Sequence, residues 1–294
     1  MDGLLLADRA NISWLTGGRD TYIEIIEKTG SARLLILPAE GYFVITNQIE
    51  EQRLKEEESL EENEEITRSR QLGRESSKII TTICREVTPG QTEKEIAGMV
   101  ANYFMAAGIK PAVVLIGADE RIFQYRHPIP TDKELKNYLM VVVCPERAGL
   151  ILSLTRLVHF GEPGKKLRNK LGAAQQVEVT MWENTRPGRN IGDVFKDGVK
   201  AYQKLGYEQE WKLHHQGGPA GYKTRDFLAT PNCKEEVLDQ QLYAWNPSIT
   251  GVKTEDTTII ANNNFEVITE DPDWPLHEIE YDGKSYNRPD FLIR

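Results

Sequence analysis

The 294-residue sequence predicts an α/β protein with two similar halves. Two observations carry this prediction. The stretch VTPGQTEKEIAGMVANYFMAAGI (87–109) returns 98 residues later as TRPGRNIGDVFKDGVKAYQKLGY (185–207), and PTDKELKNYLMVVV (130–143) is similar to PNCKEEVLDQQLYAW (231–245). The shared offset matches Pro89 with Pro187, Gly90 with Gly188, Ile96 with Val194, Phe104 with Tyr202 and Gly108 with Gly206. It indicates an internal duplication with a pseudo-two-fold axis, so any active site should lie where the halves meet.

A short α/β unit is predicted before the repeat, over residues 1–58. Its apolar runs GLLLA, ARLLILP and GYFVIT alternate with turn signals, as strands of a small unit do. From Ile49 to Ile66 the chain is dense in glutamate, which favours a solvated linker helix over a cation site. We place the boundary near Ser59, the linker at 59–68 and the main domain at 69–294. Helices are predicted at RQLGRESSKIITTICREV and at EKEIAGMVANYFMAAGI, the second closed by Gly108.

Composition excludes several classes of protein. With 45 acidic and 36 basic residues the net charge is −9, so no electrostatic footprint for nucleic acid or an anionic membrane is present. The three cysteines, Cys84, Cys144 and Cys233, form no CxxC pair, which argues against a disulfide framework or a zinc knuckle and favours a reducing compartment. No apolar run has the length of a signal or a membrane span, so we expect a cytoplasmic protein.

Five phrases then carry a resemblance across nearly the whole chain: ANISWLTGGR (10–19), HPIPTDKELKNYLMVVV (127–143), RAGLILSLTRLVHFG (147–161), HHQGGPAGY (214–222) and TGVKTEDTTII (250–260). In this order they resemble the pita-bread family M24, which is shared by methionine aminopeptidase, proline-specific aminopeptidase, prolidase and creatinase. The resemblance implies a pita-bread fold behind a shortened creatinase-type N-terminal domain. It also implies a homodimer and a small-molecule or short-peptide ligand.

The sequence departs from this family where the resemblance implies metal ligands. Active peptidases of the family hold two divalent ions with five side chains. Here the first aspartate falls in Val142–Cys144, the second is Ser153, the histidine is Gly218, the glutamate before proline is Asn246, and Glu255 alone is retained. One carboxylate with a serine and an asparagine leaves about two positive charges per ion largely uncompensated. We therefore expect no metal and no other cofactor.

Three histidines remain as candidates for chemistry. His127 corresponds to the histidine that the prolidase and creatinase branches place beside substrate, and an imidazole transfers protons near neutral pH. The alternative is an ordinary loop histidine before proline. His214 and His215 are adjacent, and in an extended chain they point to opposite faces, so we expect His214 in the cleft. For His215, packing or an interface is weighed against substrate contact, and Arg156 and Tyr222 are further candidates for substrate binding.

Glu255 is the third catalytic candidate, beside His127 and His214. It is followed directly by Asp256 in a predicted strand, so the two acids should lie on opposite faces of that strand. A buried Glu255 needs a cationic or hydrogen-bonding partner, and it could bind a guanidino group or orient a histidine. A structural ion pair with Arg156 fits Asp256 better. Cys144 ends an apolar run, so a buried structural thiol is favoured over a nucleophile.

Three functions stay open from the sequence. The first is a metal-independent hydrolase that cleaves a C–N bond in a small amide, peptide or guanidino compound, with His127 as acid and base. The second is a catalytically silent protein that binds a peptide or small molecule in the cleft. The third, disfavoured by the missing ligands, is an active Xaa-Pro metallopeptidase; His127, His214 and His215 could still supply the three protein ligands that one zinc needs.

Overall fold

A computed structural model describes residues 4–15, 29–37, 41–45 and 65–294. In the N-terminal unit, strands β1 (Leu4–Asp8), β2 (Thr29–Leu37) and β3 (Gly41–Ile45) form an antiparallel sheet in that order, with helix α1 (Arg9–Leu15) between the first two. These strands contain the three predicted apolar runs. The predicted boundary near Ser59 and most of the acidic linker lie outside the described residues. Ser13 Oγ on α1 donates to Ala148 O at 2.7 Å and so joins this unit to the main domain.

The main domain contains the two helices predicted for the first half, the first of which begins at Glu65 rather than at Arg70, and further helices after them. They are α2 (Glu65–Glu86), α3 (Glu93–Ala106), α4 (Glu120–Gln124), α5 (Lys165–Asn184) and α6 (Ile191–Lys204), followed by a 3-10 helix (Glu210–Leu213). Both predicted helices of the first half are confirmed as α2 and α3. In the described part of the chain, no helix combines the length and the apolar composition needed to cross a membrane.

Two larger sheets form the centre of this domain. The first contains β4 (Lys110–Ala118), β5 (Tyr138–Arg147), β7 (Leu154–His159) and β16 (Leu292–Ile293) in the order β16-β7-β5-β4, with β6 (Leu150–Ile151) added to β5. The second contains β8 (Gly217–Ala220), β9 (Gln241–Trp245), β12 (Asp256–Ala261) and β13 (Asn264–Val267) in the order β13-β12-β9-β8. All neighbours are antiparallel except β16 and β7. Two small antiparallel hairpins lie beside these sheets. One joins β10 (Ser248–Ile249) to β11 (Val252–Lys253), and the other joins β14 (Leu276–Tyr281) to β15 (Lys284–Pro289).

The predicted internal repeat is present in the geometry. Helices α3 and α6 have the same length and are offset by 98 residues at both ends. Each begins at a residue whose side chain caps it, Thr92 in α3 and Asn190 in α6, which satisfies a free backbone N–H of the first turn. The matched glycines after the helices, Gly108 and Gly206, have φ of +68° and +81°, a region that glycine enters without steric cost. The two halves are therefore built on the same frame.

The halves meet along their inner strands. Thr155 N donates to Glu255 O at 2.9 Å, and Ser153 N donates to Thr257 Oγ1 at 2.8 Å.

Alternate residues of the buried strand β5 enter two different hydrophobic cores. Val143 packs with α2 and α3, whereas Val142 packs with α5 and α6. Tyr243 and Trp245 stack in the second core with ring centroids 5.8 Å apart, as expected of aromatic residues in such strands.

Candidate functional site

A cavity of about 420 Å³ lies between the two halves, where the repeat predicts an active site. Its volume is in the range of small-molecule sites. The first half contributes Val113, Leu115, His127, Val142 and Cys144, and the second half contributes His215, Thr224, Arg225, Phe227, Leu228, Asn246, Lys253 and Glu255. Apolar walls therefore surround a small set of charged and polar groups.

The loop that carries His127 is held at both ends by one buried carboxylate. Glu93, in the first turn of α3, accepts from Ala118 N at 2.9 Å, from Arg121 Nε at 2.9 Å and from Thr131 Oγ1 at 2.6 Å. Between these anchors, Arg126 forms an ion pair with Glu210 of the 3-10 helix, across the interface of the halves. These contacts fix the position of His127 relative to the segment that carries His214.

Three imidazoles converge at the mouth of the cavity. His127 Nε2 and His214 Nε2 are 2.8 Å apart, and the ring centroid of His215 lies 5.4 Å from that of His127 and 4.5 Å from that of His214. The expectation that His214 and His215 point to opposite faces is wrong. Both lie in the short connection between the 3-10 helix and β8, outside any strand, and although the backbone of His214 is extended, the two rings lie side by side. It is His215, with His127, that lines the cavity.

All three imidazoles favour the neutral form. Burial is the largest cause in each case, and the charge of Lys253 adds to it. The pKa of His127 is lowered, that of His214 falls to about 2 and that of His215 to about 4. In the contact between His127 and His214, one ring therefore donates an N–H and the other accepts it.

Glu255 lies on the floor of the cavity with two cationic partners. Its carboxylate is 2.7 Å from Arg225 Nη2 and 2.9 Å from Lys253 Nζ, and it accepts from Thr155 Oγ1 at 2.8 Å. Burial alone would raise its pKa, but the charges of Lys253 and Arg225 outweigh burial and lower it. The expectation that a buried Glu255 takes a cationic partner is confirmed.

Asp256 points away from the cavity, as the predicted alternation requires. Its carboxylate is 3.0 Å from Arg156 Nη2 and 2.6 Å from Arg288 Nη2. The structure therefore does not bring Arg156, a predicted substrate contact, to the lining of the cavity. Its side chain is 1% exposed, and its Nη2 donates to Asp256 and to the carbonyl oxygen of Thr269. The alternative, a structural ion pair with Asp256, is confirmed.

Tyr222 also lies away from the cavity. Its hydroxyl accepts from Arg68 Nη2 at 3.1 Å and donates to Glu65 Oε2 at 3.4 Å. The turn that follows β8 directs the ring towards α2 and Gly149 rather than towards Glu255. For that reason Tyr222, also a predicted substrate contact, does not line the cavity.

The glycine turn after the histidines is explained by close backbone approach. Gly217 has φ of +97°, and a Cβ there would lie 2.1 Å from Ala244 O. At Gly218 a Cβ would lie 2.7 Å from Phe227 O, so the backbone of the next loop fills the space where a side chain would start. Gly221 has open space around it, so close approach does not explain that residue.

The remaining polar groups of the floor are buried. Ser153 Oγ accepts from Arg225 Nη1 at 2.8 Å and lies 3.3 Å from Cys144 Sγ. Burial raises the pKa of the Cys144 thiol, which is the property of a structural thiol rather than of a nucleophile. Asn246 Oδ1 is buried without a hydrogen-bond partner among the described residues.

The candidates predicted from the sequence do not include two residues of the site, Arg225 and Lys253. For Lys253 a signal existed, since it lies two residues before Glu255 and residues i and i+2 of an extended chain share a face. Arg225 lies in a loop without regular periodicity, in YKTRDF, and only the fold of that loop brings it to Glu255.

Comparisons with known proteins agree with this architecture. The model of metallopeptidase family M24 matches residues 67–262, and that of the creatinase/prolidase N-terminal domain matches residues 1–109. An uncharacterized peptidase of Staphylococcus epidermidis is 22% identical over 75% of this chain and 65% of its own length, so the chain spans less than two thirds of that relative.

Solved structures show the same fold at low sequence identity. The prolidase from Pyrococcus horikoshii OT3 is 17% identical with a TM-score of 0.77, over 92% of this chain and 94% of its own. The X-Pro aminopeptidase from Thermotoga maritima MSB8 is 12% identical with a TM-score of 0.80, over 100% of this chain and 98% of its own. The predicted pita-bread fold with a creatinase-type N-terminal domain is confirmed.

Proposed function

The chain belongs to metallopeptidase family M24, and on that premise we propose that it is a metal-independent member whose cleft binds a small molecule or a short peptide. The observation that carries this proposal is the pairing of Glu255 with both Arg225 and Lys253. Glu255 is the one carboxylate retained at the positions that the family resemblance assigns to metal ligands. In this chain its carboxylate forms ion pairs with two buried cations.

The residues on the cavity floor do not fit a pair of divalent ions. Ser153 and Asn246 provide neutral oxygens, Val142 provides none, and backbone fills the space beside Gly218. Hard divalent ions need several anionic oxygen or imidazole donors each. Any ion beside Glu255 would also lie close to the guanidinium of Arg225 and the ammonium of Lys253, whose charges repel it.

The histidine cluster offers a different kind of metal site. His127, His214 and His215 each present a ring nitrogen, and these atoms lie within 4.8 Å of one another. Three neutral imidazoles are a suitable donor set for zinc. However, the charge of Lys253 lowers the pKa of all three, so a divalent ion there would enter a region that already disfavours positive charge. We therefore favour a cluster without metal.

One experiment tests this proposal directly. The purified protein is analysed for manganese, cobalt and zinc by mass spectrometry, and the release of proline from an Xaa-Pro peptide is measured with and without a chelator. We expect substoichiometric metal and proline release that is absent or slower by several orders of magnitude, since no metal generates a hydroxide nucleophile. Stoichiometric metal together with chelator-sensitive release would show that the proposal is wrong.

A second candidate function is metal-independent hydrolysis of a C–N bond. The contact between His127 and His214 favours it, because a neutral imidazole at the cavity mouth can accept a proton from water. The water oxygen would attack the carbonyl carbon, His127 would take its proton and then return it to the leaving nitrogen. Arg225 and Lys253 would stabilise the developing oxyanion. Product release from a panel of amides and peptides that survives chelation and is lost in His127→Gln would establish this activity.

Assembly and location are further parts of the proposal. We propose a cytoplasmic homodimer formed with the help of the N-terminal unit, and a main domain that spans residues 69–294. A monomer by light scattering at micromolar concentration would contradict the dimer.

A further inference from the structure

The floor of the cavity carries more positive than negative charge. Arg225, Lys253 and Glu255 are all buried, with side chains 6%, 4% and 3% exposed, and they provide two positive charges against one negative charge. The three nearby imidazoles are neutral and do not change this balance. One positive charge of the floor is therefore left without a counter-charge among the described residues.

The layer behind the floor does not compensate this charge. There, Asp256 and Glu178 are paired with Arg156 and Arg288 through contacts of 2.6 to 3.0 Å. A third acid, the part-exposed Glu270, lies 3.8 Å from Arg288 Nη1. The acids of this layer therefore contact the arginines of the same layer. A buried charge without a partner is costly, so the floor favours an anion from outside the chain.

Hydrogen-bonding capacity at the floor is also unfilled. Arg225 uses its two Nη atoms on Ser153, on Glu255 and on its neighbour's carbonyl, but its Nε is buried without a partner in the part of the chain that the structure describes. The ammonium of Lys253 carries three donors, and its ion pair is with Glu255. On the same lining, Asn246 Oδ1 is a buried acceptor without a donor.

The walls above the floor are apolar. Val113, Leu115, Val142, Phe227 and Leu228 surround the charged groups. A ligand that matches both parts has an anionic head and an apolar body, and it can carry an N–H group that donates to Asn246.

From these contacts we infer that Arg225 and Lys253 form a binding site for the carboxylate of a small organic acid, whose apolar part packs against the walls of the cavity. The inference rests on the proposed metal-independent function, because a divalent pair at the same place would itself supply the positive charge. It disfavours cationic guanidino ligands, since Glu255 is already paired with two cations.

The first test uses bromide as a probe. Crystals of the full chain are soaked in sodium bromide, and anomalous scattering locates the ions. We expect a bromide ion within contact distance of Arg225 and Lys253 in the wild-type protein and none there in Lys253→Gln. Ordered bromide elsewhere on the protein with an empty floor would overturn the inference. Because the wild-type soak needs no variant, a failure of the variant to fold leaves this result decisive.

The second test compares three probes of nearly equal shape. Benzoate is an anion, benzamide is neutral and benzamidine is a cation, and each is titrated at matched ionic strength while thermal unfolding is followed. We expect saturable stabilisation by benzoate alone, with an apparent affinity that falls about 10-fold or more in Lys253→Gln, since hydrogen bonds to charged groups are the strong ones. Lys196→Gln, which removes an exposed lysine paired with Asp193, is the matched control and should bind as the wild type does.

Stabilisation by benzamidine equal to that by benzoate would contradict an anion site. Metal analysis of the same preparation separates the two proposals. Stoichiometric divalent metal would overturn the proposed function and this inference together. A metal-free protein without bromide on the cavity floor would overturn the inference alone.

Discussion

Glu255 and Asp256 are neighbours in the chain and both are buried, yet their surroundings differ in charge balance. Asp256 belongs to a network with Glu178, Arg156 and Arg288, and Glu270 lies at its edge, 3.8 Å from Arg288. Glu255 faces the cavity with two cations and no second acid. In the first arrangement the acids outnumber the arginines, whereas in the second the cations outnumber the acid. The difference separates a structural role from a binding role within one dipeptide.

The network around Asp256 also connects more of the fold. Arg156 lies on β7, Glu178 on α5 and Arg288 on β15, so Asp256 joins elements of both halves and of the C-terminal hairpin. The cluster around Glu255 includes the loop residue Arg225 and borders open space. Substitutions in the two clusters should therefore differ in size and in their response to added anions.

The largest effect is expected from Arg288→Met. It leaves Glu178 and Asp256 buried without their common partner, and breaking a buried network by removing one member costs about 3–5 kcal/mol. Urea unfolding measures the loss. The control is Arg70→Met, which breaks an exposed pair with Glu266 and should change the free energy of unfolding by less than about 1 kcal/mol. Similar values for both variants would contradict a structural role of the network.

A smaller effect that depends on anions is expected from Glu255→Gln. The variant leaves Arg225 and Lys253 without their carboxylate, and a buried charged donor that loses its partner costs about 1–3 kcal/mol or somewhat more. Unlike the loss in Arg288→Met, this loss should be partly restored by sodium bromide, since the cavity can admit an anion. Unfolding is measured with and without bromide, with Glu266→Gln as the exposed control. A loss in Glu255→Gln that bromide leaves unchanged would show that the floor is closed.

The histidine cluster predicts a loss of stability in acid. The folded-state pKa values of His214 and His215, about 2 and about 4, lie below the usual value of 6.5, so the unfolded chain binds more protons between these limits. Stability is then complete above pH 6.5 and falls as the pH drops towards 4. The slope is about 1.4 kcal/mol per pH unit for each imidazole that stays neutral. His215→Gln should flatten the curve of unfolding free energy against pH, and a curve as steep as that of the wild type would contradict the prediction.

The smallest effect on stability is expected from Lys253→Gln. It removes the excess positive charge and leaves Glu255 paired with Arg225, so the free energy of unfolding should change by less than about 1 kcal/mol or even rise. A chemical denaturation curve for this variant checks the prediction. A loss as large as that of Glu255→Gln would show that Lys253 is structural, and the contrast between the two clusters would disappear.

The capped helices and the glycines that follow them are predictable from the sequence because they occur once in each half. The matched glycines and helix starts recur at one offset, and local capping and turn chemistry fix them. The opposite faces of Glu255 and Asp256 followed from the alternation of a strand. His214 and His215 were placed wrongly because that rule was applied to a connection outside any strand. Arg225 lies in a loop, and no periodicity in the sequence brings it beside Glu255.

The two halves differ in length after helices α3 and α6. The helices correspond at an offset of 98, from Glu93 to Ile191, but the bridge of Thr92 with Glu134 corresponds to that of Asn190 with Glu236, so the later offset is 102. The strand ladders keep this second offset, since Val141 faces Arg156 in one half and Tyr243 faces Thr258 in the other. The four additional residues therefore fall in the stretch that carries His214 and Arg225. In evolutionary terms, the duplicated scaffold kept its dimensions while the segment that builds the cavity accepted a change of length, as surface connections with a binding role commonly do.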